Sequence, residues 1–218
     1  MPFDLVAAGV LLDMDGTLVD STAVVESLWR EFAHAYGVDA AAVLAFAHGR
    51  PTMDTIAAFL PGRDRAELDA IERAATEDEI RRLDGIVEVR GAAAFVRALL
   101  AQAVPVALVT SASPELARVR MRAAGVPLPP VLVTPGDVAR GKPAPDGYLR
   151  AAALLGVAAG DCVVFEDAPA GVAAAVAAGA RTVVVGGLDE SSAGGLPQVP
   201  DLRAVSVARE RGVVHLRG

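Results

Sequence analysis

Cysteine is nearly absent: Cys162 is the only one among 218 residues. A single thiol cannot form an internal disulfide, and no thiol-rich metal site can be built from it. Because Cys162 lies in an apolar run, it reads as a small core side chain. Aromatic residues are scarce too, at 4% of the chain. The 53% hydrophobic content is therefore carried by alanine and small aliphatics, and the core must come from closely packed elements. That much apolar surface excludes a disordered chain, which could not offset its ordering entropy. Positive charge is in deficit, with 20 Lys and Arg against 27 Asp and Glu and a formal net charge of −7. A general nucleic-acid binder needs a basic face to displace counterions, so no nucleic-acid partner is expected. Long apolar runs are missing as well. The run from Leu5 to Leu12 is interrupted by Gly9 and closed by Asp13, and Asp4 stands where a signal peptide would carry a basic start. A membrane span needs about twenty apolar residues. The expectation is a cytoplasmic protein without membrane association.

What is present is an alternation of short apolar runs with helical patterns, the signature of parallel strands joined by crossover helices. The length fits about one to one and a half domains. Strands are expected at 5–12, 104–109, 131–133, 161–165 and 181–185, with weaker ones near 204–207 and 213–216. Ser113-Pro114-Glu115 supplies a cap, a first-turn proline and a first-turn acid for a helix over 114–124 that Gly125 ends. Asp146 is read as the cap of a helix over 147–155, and 168–178 as a small-residue helix closed by Gly179. From Ser21 to Leu83 only helical patterning is found, broken at Gly37, Pro51 and Pro61-Gly62. The expected organisation is an α/β core of Rossmann-like parallel sheet, residues 1–19 and 86–218, with an inserted α-helical cap over 20–85. Such an insert can cover the strand ends where open α/β sheets bind ligands. The Gly-, Ser- and Pro-rich stretch 186–200 reads as a mobile loop, and no internal repeat is found.

The chemistry is carried by where the strands end. The first runs into Asp13-Met14-Asp15-Gly16-Thr17, the second into Thr110-Ser111, and the fourth into Glu166-Asp167, while Lys142 follows the third in a Gly-Lys-Pro turn. Singly, each has a plain reading. An Asp after a strand is common turn chemistry, Thr110-Ser111 can cap a helix, Lys142 can be a surface lysine, and Glu166-Asp167 suits a helix start. Together, on parallel strands, they converge on one sheet edge. Four carboxylates there repel one another unless a cation sits among them, and an all-oxygen donor set favours Mg²⁺. The run Gly136 to Pro143 nearly reproduces a nucleotide-binding phosphate loop, but Pro143 stands where a Ser or Thr hydroxyl should reach the metal.

The motifs Asp13-Met14-Asp15-Gly16-Thr17-Leu18-Val19-Asp20-Ser21, Thr110-Ser111, Gly141-Lys142-Pro143 and Glu166-Asp167-Ala168-Pro169-Ala170-Gly171 resemble, in order, the four motifs of the haloacid dehalogenase-like hydrolases. The resemblance is to the branch with a helical cap after the first strand, and it spans 13–171. His48-Gly49-Arg50-Pro51-Thr52 and Gly141-Lys142-Pro143-Ala144-Pro145-Asp146 look like the sugar-phosphatase group, which acts on substrates such as glycerol phosphate and deoxysugar phosphates.

The resemblance implies a Mg²⁺-dependent phosphatase acting on a small phosphorylated sugar or polyol through an aspartyl-phosphate. Asp13 would be the nucleophile and Asp15 the general acid and base. Thr110, Ser111 and Lys142 would bind the phosphoryl group. Asp13, the main-chain carbonyl of Asp15 and Asp167 would hold the metal, with Glu166 beside it as an outer group or a ligand. Arg50 is the cap residue expected to touch substrate. His48 reads as a packing or capping residue, Trp29 as cap core, and His34 and His215 lack the neighbours a zinc site needs. A monomer or weak homodimer is expected. Phosphoglycolate hydrolysis and phosphosugar mutation are the nearest alternatives. A mutase of this type usually carries a His in the early cap, where Val25 stands here. A non-catalytic phospho-accepting module or phosphosugar binder would use a similar set, but the chain is about twice the length of such a signalling module and every candidate catalytic group is intact.

Overall fold

The computed structural model describes residues 3–47, 49–211 and 213–218. Its centre is a six-stranded parallel sheet. The chain enters through β1 (Asp4–Ala7) and β2 (Gly9–Leu12), and passes β3 (Val19–Asp20) into four helices: α1 (Thr22–Tyr36), α2 (Ala40–Ala47), α3 (Thr52–Phe59) and α4 (Arg65–Arg81). It returns through β4 (Val87–Glu88) to α5 (Ala92–Ala101), β5 (Val106–Val109), α6 (Pro114–Ala123) and β6 (Val131–Val133). Next come α7 (Asp146–Leu155), β7 (Cys162–Glu166), α8 (Pro169–Ala177), β8 (Arg181–Val185), α9 (Glu190–Ala193) and β9 (Gln198–Val199). A hairpin of β10 (Ser206–Glu210) and β11 (Val213–Arg217) closes the chain. The order in the large sheet is β6-β5-β2-β7-β8-β9.

The middle strands are apolar without alternation because both faces of the sheet are covered. Successive residues still point to opposite sides. Val10, Leu12, Val163 and Phe165 join one core with Phe95, Val96 and Leu99 of α5 and Met121 of α6. Leu11 and Val164 join the other with Tyr148, Ala151 and Ala152 of α7 and Ala174 of α8. Cys162 is buried in that second core, as expected of it, and burial pushes its thiol up to about 11.

Three sequence expectations are corrected. The run 5–12 is two strands. After a bend at Ala8, β2 enters the parallel sheet, whereas β1 pairs antiparallel with β11 in a separate three-stranded sheet with β10. The stretch 186–200 is not simply a loop, because it contains α9 and β9, and β9 extends the large sheet beside β8. Asp146 does not cap α7. Pro145 occupies the cap position, and the Asp146 carboxylate is taken instead by Arg140 at 2.8 Å. Ser113 does cap α6, accepting from the Leu116 amide at 3.2 Å.

The helices α1–α4 pack on a core of their own, Trp29, Ala33, Val43, Ile56 and Leu60. The two chain crossings into and out of this insert pair as an antiparallel couple, Val19 opposite Glu88 and Asp20 opposite Val87. Among the described residues no helix is long and apolar enough to cross a membrane.

Candidate active site

Parallel pairing puts the C-terminal ends of β2, β5, β6 and β7 on one edge, and the residues picked out by sequence gather there. Asp13 follows β2 directly, anchored by its amide to the Phe165 carbonyl at 3.1 Å. Lys142 reaches in from the β6–α7 connection and donates to both Asp13 Oδ1 and Glu166 Oε1. The near-match to a nucleotide loop is thus a connection that turns its lysine onto carboxylates. Glu166 is completely buried at the end of β7. Its Oε1 also accepts from the Tyr148 hydroxyl at 3.0 Å, and its Oε2 accepts from the amides of Asp167 and Ala168, both at 2.9 Å. Asp167 accepts from the Thr17 hydroxyl at 3.1 Å.

Two glycines leave the space that these acids occupy. Gly16 has φ +88, and a Cβ there would lie 1.9 Å from Asp167 Oδ2. A Cβ on Gly171 would lie 1.6 Å from Glu166 Oε1. Any side chain at either position would displace a carboxylate.

Asp13, Glu166 and Asp167 offer oxygens within 4.8 Å of one another, and no other such group of acids, His or Cys occurs among the described residues. Crowding shows in their protonation. Burial, then the Glu166 charge, pushes the Asp13 carboxyl up to about 8. Burial, then Glu166 and Asp13, holds Asp167 well above the usual carboxylate range. Burial works against the Lys142 ammonium, but Asp13 and Glu166 outweigh it and keep that group well above the ordinary lysine value. One ammonium among three crowded carboxylates, two of them buried, leaves negative charge uncompensated once they ionise. An oxygen-rich, partly enclosed site of this kind suits a hard divalent cation.

Above this edge lies a cavity of about 730 Å³ closed on its far side by the helical insert. Asp13, Asp15, Asp167, Thr110 and Ser111 line its floor. Thr110 accepts from the Ala112 amide at 3.0 Å, and the Ser111 hydroxyl donates to the Gly49 carbonyl of the insert at 3.2 Å. The loop after α2 is seated tightly on the core: added Cβ atoms would meet Ala168 from Gly49, and Pro51 from Gly141, each at 2.7 Å. Arg50 in that loop lines the cavity with its guanidinium 4.5 Å from the Phe46 ring centroid. Among the described residues no hydrogen bond or ion pair joins it to the acid cluster. His48 lies outside the described residues. Trp29 belongs to the insert core and also lines the cavity.

Sequence reasoning missed Arg120, Glu79 and Tyr148, and took Ser21 only as the last residue of the first motif. Arg120 Nη1 donates to both Asp15 oxygens at 3.0 Å, and its Nη2 donates to Glu79 Oε2 on α4 at 2.9 Å. The Ser21 hydroxyl donates to Asp15 Oδ1 at 2.6 Å. A signal for Arg120 did exist in the sequence. Leu116, Ala117 and Met121 mark the inward face of α6, and Arg120 falls on that face while Arg118 and Arg122 point outward.

A family model for haloacid dehalogenase-like hydrolases matches residues 7–179. Hexitol phosphatase A of Escherichia coli is 43% identical over 177 residues, covering 81% of this chain and 82% of that protein. Glycerol-1-phosphate phosphohydrolase 2 of Saccharomyces cerevisiae is 33% identical over 193 residues, covering 84% of this chain and 76% of that protein. Among solved structures, CbbY from Rhodobacter sphaeroides in complex with phosphate superimposes with a TM-score of 0.76 at 26% identity, covering 90% of this chain and 96% of that one. With the four motifs gathered on one sheet edge, this chain belongs to the haloacid dehalogenase-like hydrolases.

Proposed function

We propose that the protein hydrolyses phosphate monoesters of small sugars or polyols, with Mg²⁺ and by way of a phosphorylated Asp13. The observation that carries this reading is the pairing of a buried Asp13, held by Lys142, with Asp15 two residues on, facing the same cavity. The two relatives named for hexitol and glycerol-1-phosphate chemistry support the substrate class. We assign residues 1–19 and 86–218 to a catalytic core and 20–85 to a cap that selects substrate.

In the first step an Asp13 oxygen attacks phosphorus, the bond from phosphorus to the leaving oxygen breaks, and Asp15 gives that oxygen a proton. In the second step water attacks phosphorus while Asp15 takes its proton, the Asp13–phosphorus bond breaks, and inorganic phosphate is released. Thr110, Ser111 and Lys142 bind the phosphoryl oxygens, and Lys142 keeps Asp13 aimed. Asp13, Asp167 and the main-chain carbonyl of Asp15 would hold the metal, which would supply positive charge between the anionic nucleophile and the phosphate dianion. Arg50 reaches the part of the substrate that does not react. Val25 lines the cavity at the position where a phosphosugar mutase would carry an imidazole, which favours hydrolysis over mutation.

The test is phosphate release from a panel of sugar, polyol, glycolate and nucleotide monophosphates, with Mg²⁺ or with EDTA, beside Asp13→Asn. Metal-dependent turnover, strongest on polyol or sugar phosphates and abolished in Asp13→Asn, is expected. A ranking led by glycolate phosphate would move the substrate assignment. Full turnover in a folded Asp13→Asn would remove the nucleophile.

A further inference from the structure

Arg120 sits where its helix needs an apolar residue, at 3% exposure. A buried guanidinium is costly unless it is paired, and here it is paired twice. The two acids come from different parts of the molecule. Asp15 lies in the turn that follows β2, and Glu79 on α4, within the helical insert. The guanidinium is a rigid planar fork, so its two ends fix the separation and direction of the acids they hold. Asp15 is also gripped by Ser21, immediately after the strand by which the chain enters the insert, while Glu79 lies just before the chain leaves it. Both grips on Asp15 thus lead to the insert, one through each of its ends. If α4 lifted off α6, Arg120 Nη2 would lose Glu79, and with its Nε already buried without a partner the guanidinium would be left held by Asp15 alone, free to turn and to carry Asp15 with it.

We propose that Arg120 is a positioning residue for Asp15, and that Glu79 makes this positioning conditional on the insert being seated. The acid and base of the reaction is then set in place only when the cavity is covered. This inference rests on the role assigned to Asp15 above, and the experiment separates failure of one from failure of the other.

Arg120→Met, Glu79→Gln, the double variant and Asp15→Asn are compared with wild type on two substrates. One is a polyol phosphate, whose alkoxide leaving group needs a proton. The other is p-nitrophenyl phosphate, whose leaving group departs without one but whose second step still needs a base. Arg120→Met should lower kcat on the polyol phosphate by about a hundredfold, the usual scale for misplacing a catalytic group, with KM little changed. On the aryl ester it should give a rapid burst of nitrophenol equal to the enzyme concentration and then slow turnover. Glu79→Gln should show the same pattern more weakly, and the double variant should be no worse than Arg120→Met alone.

Equal losses on both substrates without a burst, or losses that multiply in the double variant, would overturn the proposal. If Arg120→Met does not fold, Arg120→Lys, which keeps the charge without the fork, takes its place. Intermediate turnover with a burst would then support the proposal, and wild-type behaviour would overturn it. An Asp15→Asn enzyme active on the polyol phosphate would sink the role of Asp15 itself. An inactive Asp15→Asn beside normal Arg120 and Glu79 variants would sink only this inference.

Discussion

At Glu166 both carboxylate oxygens are engaged by protein donors: Lys142 and the Tyr148 hydroxyl on Oε1, and two main-chain amides on Oε2. A carboxylate has about four lone-pair directions, so these contacts use them all. Although Glu166 lies within reach of Asp13 and Asp167, these bonds support a role as a clamp for Lys142, which under the proposed mechanism leaves the two aspartates to face a cation. Tyr148→Phe should therefore leave the fold intact, lower stability by about 1 kcal/mol for one lost buried hydrogen bond, and reduce kcat modestly through a looser Lys142. Urea unfolding beside steady-state kinetics checks both. No loss of stability would mean that the hydroxyl does not hold Glu166. The sequence pointed to Asp13, Glu166 and Asp167 because they come at the ends of apolar runs, and to Lys142 because its Gly-Lys-Pro turn comes after the run 131–133, so that all four could converge on one sheet edge. Tyr148 and Arg120 follow no strand, and although Arg120 falls on the inward face of α6, what each does depends on partners that the local sequence does not show. Arg120 meets Asp15 across 105 residues.

Among the elements, α6 links the turn at Thr110-Ser111, to which phosphate binding is assigned above, to Arg120. Its start depends on Ser113, whose side chain satisfies the Leu116 amide. Ser113→Ala should cost about 1 kcal/mol, the usual worth of a lost helix cap. A shifted unfolding midpoint at unchanged m-value is the expected readout. An unchanged midpoint would show that packing against α4 and the sheet already fixes this turn. Ser113 was legible because Pro114 and Glu115 follow it in first-turn positions, so three local preferences agree. Asp146 had only one such preference. Pro145, with φ −75 and ψ −6, already occupies the cap position, leaving Asp146 inside the first turn. The division of 5–12 into β1 and β2 was hidden for another reason. Both halves are apolar runs, and only the distant β11 shows that the first belongs to another sheet.

For the molecule as a whole, the acid cluster ties stability to pH and to metal. The Asp13 carboxyl is raised from an ordinary 3.8 to about 8 by burial and by Glu166. A carboxyl raised on folding binds its proton more tightly in the folded state. Its contribution is fully present below the unfolded value and is lost as pH rises through the folded one. The metal-free protein should thus become less stable between 3.8 and about 8 on account of this group. A cation competes with those protons, so Mg²⁺ should raise Tm by more at about pH 8 than at about pH 5.5. Thermal scans at both pH values, with Mg²⁺ or EDTA, make the comparison. An equal increment at both would mean that the ion binds away from Asp13.

Asp20 stands opposite Val87 in the short antiparallel couple at the base of the insert. Topologically, everything between them is the loop of a hairpin. The entropic cost of closing a loop grows only with the logarithm of its length. Once that couple is formed, the register of the catalytic sheet is indifferent to what the loop contains. On the assignment proposed above, the insert that reads the substrate is thus a cartridge. It can be lengthened, shortened or exchanged at little cost to the fold of the sheet, provided its replacement brings an acid to meet Arg120 and a loop to seat against Ser111, Gly141 and Ala168.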